Sequence, residues 1–175
     1  MKGKWNETME KHNEKVRVEE AELLEKMASI NGFSYKDNLN CLNCFKNVIT
    51  EELKHDGGVY IEKIGTMYIE TISEGEKTVR RPCFKADPGL KQAVNKTTSF
   101  DGSIDYDLLD YMKEPEYLEI ISTQNGFSIS KNKAILQTFC DVVCKELIDK
   151  KTIALSGFGA FYLKAIEHLE DGSLS

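Results

Sequence analysis

Asn31-Gly32-Phe33-Ser34 opens a stretch that the chain writes again, 94 residues further on, as Asn125-Gly126-Phe127-Ser128. The register holds without a gap: Asn38 falls on Asn132, Leu42 on Leu136, Phe45 on Phe139, Val48 on Val142, and Glu52-Leu53 on Glu146-Leu147. Gly65 falls on Gly159 and Tyr68 on Tyr162. A repeat of this length fixes the architecture before any single residue is weighed.

Both copies carry the same punctuation. An Asn-Gly turn and a Ser at an N-cap position predict a helix start. The first helix then carries Leu39, Leu42, Phe45, Val48, Ile49 and Leu53; the second carries Ile135, Leu136, Phe139, Val142, Val143 and Leu147. Steps of three and four put each set on one buried stripe. A polar break follows, and after it two short β-rich runs meet at a glycine. In copy one these are Val59-Tyr60-Ile61 and, after Gly65, Met67-Tyr68-Ile69; in copy two, Ile153-Ala154-Leu155 and, after Gly157-Phe158-Gly159, Phe161-Tyr162-Leu163. Glycine there permits a tight turn between strands.

Two helices, a strand, a Gly157-Phe158-Gly159-Ala160-Phe161 turn and a strand resemble the HU/IHF family of bacterial DNA-bending proteins. Copy one has Lys63-Ile64-Gly65-Thr66-Met67 at that turn, and Phe84-Lys85-Ala86-Asp87-Pro88-Gly89-Leu90 resembles the family's third strand and closing helix. The resemblance implies an α+β fold of two tandem HU/IHF-like repeats, each built as helix, helix and β-hairpin. The expected divisions are a helical extension over 1–17, a first repeat over 18–95, an acidic linker over 96–115, a truncated second repeat over 116–170 and a tail over 171–175. Family members are intertwined dimers, so two copies in one chain imply an intrachain pseudo-dimer. Pairing of each copy with its counterpart in a neighbouring chain, giving a row or ring of subunits, is the alternative.

Function turns on the family's basic arm, whose tip proline wedges into the minor groove. Here the strand after Gly65 reaches a turn at Ser73-Glu74-Gly75-Glu76-Lys77 and returns through Thr78-Val79-Arg80-Arg81-Pro82-Cys83-Phe84. The arm is cut short, its tip has no proline, and copy two has neither arm nor closing helix. Lys63, Lys77, Arg80, Arg81, Lys85 and Lys91 face Glu62, Glu70, Glu74, Glu76 and Asp87 over the same stretch, and the whole chain carries a net charge of −6. The local excess of a single positive charge is no electrostatic footprint for DNA, and the net charge of the whole chain is the wrong sign for affinity drawn from phosphates. Arg80, Arg81, Lys85 and Lys63 are the candidate residual phosphate contacts. Trp5 is the candidate partner anchor, on an N-terminal extension that either stays solvated or docks on a neighbour.

The expected function is therefore non-enzymatic: an HU/IHF-like fold reused for protein–protein assembly. The chain is similar to HU/IHF-like proteins found beside the virion genes of crAss-like tailed phages. That similarity implies a virion component at the portal, collar or tail junction, with other virion proteins and copies of itself as partners. The alternative is a DNA-binding architectural protein of the cytoplasm or nucleoid. No cofactor is expected. Cys41 and Cys44, with Cys140 and Cys144, have metal-ligand spacing. They lie within helices beside apolar positions and do not recur at the repeat offset, so they read as core thiols rather than a metal site. Asp101, Ser103 and Asp105 resemble a calcium loop only in spacing. His12, His55 and His168 are scattered, no nucleophile–base order stands out, and no apolar run approaches the ~20 residues that span a bilayer.

Overall fold

The computed structural model describes residues 16–95 and 110–162. Trp5, His12, the calcium-like spacing, most of the linker, and the tail with His168 lie outside the described residues. The described chain is α+β: five helices and two three-stranded sheets. In chain order these are β1 (Arg17–Glu19), α1 (Glu20–Asn31), α2 (Tyr35–Lys54), β2 (Val59–Ile61), β3 (Gly65–Glu74), β4 (Lys77–Ala86) and α3 (Pro88–Asn95). After the linker come α4 (Glu114–Asn125), α5 (Ile129–Ile148), β5 (Thr152–Leu155) and β6 (Gly159–Phe161).

The predicted turn chemistry is present in both copies. Gly32 and Gly126 end α1 and α4 at φ 77° and 74°, the left-handed conformation that glycine adopts without a Cβ penalty. Ser34 Oγ accepts from the Asp37 amide and Ser128 Oγ from the Lys131 amide, both at 3.0 Å. Asn31 Nδ2 donates to Asn38 Oδ1 at 2.8 Å, and Asn125 Nδ2 to Asn132 Oδ1 at 2.9 Å. Asn38 and Asn132 are fully buried. A buried amide needs partners, and each finds them in the corner that joins its own two helices.

The correspondence runs further back than Asn31. Val18, Leu23, Leu24 and Met27 are buried, and so are Tyr117, Leu118 and Ile121 at the offset positions of the last three. Val18, where the first repeat was expected to begin, lies in the short strand β1, with α1 starting at Glu20. Its place is explained by its partner: β1 runs parallel to β5, Val18 opposite Ile153. At the offset positions, Met112 bridges Val59 in the same parallel sense, with Tyr60 N–H donating to Met112 O at 2.8 Å. The segment before each helix pair therefore joins the other copy's strand. Helices exchange likewise: α1 packs on α5 and α4 on α2.

One apolar core results. Phe45 stacks edge-on against its own offset counterpart Phe139 with centroids 6.1 Å apart, and Tyr117 closes on Phe45 at 4.9 Å. Phe84 and Phe161 meet edge-on across the two sheets at 5.8 Å. The sheets differ at one edge. In the first, β4 covers β3; in the second, no described strand covers β6.

Candidate nucleic-acid interface

β3 and β4 pair over ten residues each, from Gly65↔Ala86 to Glu74↔Lys77. β2 reaches only Gly65–Met67, so seven further pairs run on as a bare two-stranded ribbon, about 20 Å long at ~3.3 Å per residue. The turn falls where the sequence placed it, and the chain has a short arm. Gly75 takes φ 64° at its two-residue tip.

The candidate cations are dispersed. Neighbouring strand residues point to opposite faces, so Arg80 and Arg81 are separated. Arg80 turns to the body: Nε donates to Asp56 Oδ1 at 2.8 Å, and Nη2 donates to the Leu53 and Lys54 carbonyls at 3.0 and 3.1 Å. Those carbonyls belong to the last turn of α2, the negative end of the helix dipole, which favours a cation. Arg81 crosses the ribbon to Glu70 Oε2 at 3.0 Å, where the Cys83 thiol also donates. The Arg81 guanidinium, then the thiol, hold the Glu70 carboxyl below its ordinary range, and Glu70 in turn raises Arg81. Lys63 stands 3.1 Å from Asp141 on α5, and that carboxylate raises the Lys63 ammonium. Lys85 also has an interaction partner. Arg81 and Lys63 keep more than half of their side-chain surface in solvent (58% and 68%), so both remain able to exchange an acid for a phosphate.

The cysteines are free thiols. Burial pushes Cys41 up to about 12 and Cys144 up to about 11, and raises Cys140 further. Cys144 Sγ meets the Lys63 carbonyl. Among the described residues no group of three or more His, Cys, Asp or Glu side chains converges, and no helix is long and apolar enough to cross a membrane. A small, partly open apolar pocket of about 20 Å³ lies between the sheets, lined by Phe45, Ile49, Phe84, Phe139 and Phe158 among others.

A family model described as "Bacterial DNA-binding protein" matches residues 112–168. The match starts at the bridge residue Met112 and includes α4, α5, β5 and the glycine turn into β6, and it supports an HU/IHF-like fold for this part. No curated protein matches the chain.

Proposed function

We propose that this chain is a non-enzymatic architectural protein that binds duplex DNA weakly and without sequence preference. It would do so through an HU/IHF-like body in which two tandem repeats form an intrachain pseudo-dimer. The family match over 112–168 carries the reading. The crossed pairing of Val18 with Ile153 and Met112 with Val59 supports the pseudo-dimer, because it is reciprocal. Arg81, Lys63 and Lys85 would meet phosphates, with Arg80 holding the ribbon against α2. Contacts of this kind fix position on a duplex and read no sequence.

A second reading is favoured by a specific observation: Arg80 and Arg81 already hold carboxylates, in a chain of net charge −6. It is that the same body serves protein–protein assembly, with self-association or virion partners at a portal, collar or tail junction and Trp5 as an anchor. A mobility shift of a ~40 bp duplex at about 50 and 200 mM salt separates the readings. Binding at the lower salt that collapses at the higher supports the first. No shift at either salt, with co-sedimentation of the chain in large assemblies, supports the second.

A further inference from the structure

If a pseudo-twofold axis relates the repeats, a residue on it meets its own offset counterpart. Phe45 and Phe139 do so, and Asp37 and Lys131 do so as an ion pair at 2.8 Å. Lys131 Nζ also lies over the rings of Phe33 and Phe127, another offset pair, at 5.4 and 4.0 Å. A true homodimer must place like against like at such a site. Here the site carries opposite charges, about two-thirds buried.

Two more ion pairs cross between the repeats, and neither has a charged mirror image. Lys26 donates to the buried Glu146 at 2.7 Å, while the mirror positions hold Ile120 and Glu52. Lys63 meets Asp141 at 3.1 Å, while the mirror positions hold Gly157 and Asn47. Two first repeats set together would keep a Lys26–Glu52 option but would press Asp37 on Asp37. Two second repeats would press Lys131 on Lys131 and leave Glu146 facing Ile120. Like charges this close cost more as water is withdrawn.

We propose that the seam is charge-coded: the first repeat accepts only a second repeat, and the axis pair Asp37–Lys131 is the centre of the code. The linker adds local concentration, so the acceptor is the repeat in the same chain. The inference rests on the twofold reading of the body and not on DNA binding.

Three full-length variants test it: Asp37→Lys, Lys131→Asp and the double swap. Lys131→Asp also places an acid in the first turn of α5, and Asp37→Lys a base in the first turn of α2, so the singles carry opposite helix-dipole effects. These cancel in the swap, and the coupling is what is read. The double swap should melt within about 2 °C of wild type, at least about 4 °C above the sum of the single losses. An additive double variant overturns the code. If a single variant fails to fold alone, Asp37→Lys is refolded together with Lys131→Asp. The coded seam then yields a two-chain species of twice the 19.9 kDa chain mass, and recovery of single chains or aggregate alone overturns it. Carbodiimide condensation of Asp37 with Lys131, forming an amide with loss of water, tests the arrangement separately. A cross-link within one chain beside an additive double sinks only the code. No cross-link sinks the twofold body.

Discussion

Gly65 and Gly159 share φ 146°, a region closed to side chains. Their surroundings differ. A Cβ on Gly65 would come within 2.2 Å of the Lys85 carbonyl, whereas one on Gly159 would meet nothing within 4 Å among the described residues. Gly159→Ala should therefore cost only the backbone strain, about 1–3 kcal/mol. Gly65→Ala must in addition push β4 away, and it should melt clearly lower; equal melting temperatures would mean that β4 does not pass over Gly65. The recurrence of this glycine was plain in the sequence, but the single-sided crowding was not, because it depends on a strand that only one copy shows among the described residues. The same holds one turn earlier. Lys63 at φ 68° stands where Gly157 takes φ 69°, so the first repeat tolerates a lysine in a left-handed position and uses its ammonium on Asp141. Asn38 and Asn132 were legible as a repeat, yet nothing in their spacing told that both are buried corner braces.

At the scale of elements, the helices were the most legible part, since capping serines and apolar steps agree in both copies. The first strand was missed because three residues carry no periodicity, and its partner lies far along the chain. Two of the cysteines, Cys140 and Cys144, lie on α5, the helix on which the closing helix α3 packs; at the offset positions on α2, Thr50 is exposed and Lys46 is held by Glu20 and the Ser156 carbonyl. The arginines likewise divide by element. Arg80→Ala removes two charge-assisted bonds to the end of α2 and one to Asp56 just beyond it, each of a class worth about 1.5–3 kcal/mol before solvent exposure reduces it; Arg81→Ala removes one exposed cross-strand pair. Arg80→Ala should lower the melting temperature by several degrees and Arg81→Ala by almost nothing, whereas the proposed DNA affinity should follow Arg81. Glu146 gives a pH test of the α1–α5 seam. Burial alone would raise its carboxyl, but Lys26 and Lys151 outweigh that and hold it below the ordinary 4.5. A lowered folded pKa means stability that is present above the unfolded value and lost as pH falls through the folded one. Glu146→Gln should thus lower stability at neutral pH and flatten the acid side of the melting curve taken from pH 7 to 3; an unchanged acid limb would assign that loss elsewhere.

On the scale of the whole molecule, the described body presents one ribbon, not two. A two-armed clamp holds a duplex from both sides and can bend it; one ribbon of about 20 Å, at ~3.3 Å per residue, reaches a single side. The energy of bending needs contacts to offset it, on the order of 1–6 kcal/mol for a short site. The available cations do not supply many: Arg80 is committed to α2, leaving Arg81, Lys63 and Lys85, and the first two must each leave a carboxylate. Three phosphate contacts predict a slope of roughly −0.9 each in log affinity against log salt, or about a 40-fold loss from 50 to 200 mM. The expected result is thus a loss of about that size and no bend, seen as unchanged end-to-end energy transfer in a labelled duplex of about 40 bp under saturating low-salt protein. A slope two or three times steeper would show that residues beyond these three carry the binding. A clear bend would require a second grip that the described residues do not contain, and the segments after Tyr162 and before Val16 would then be the places to substitute next.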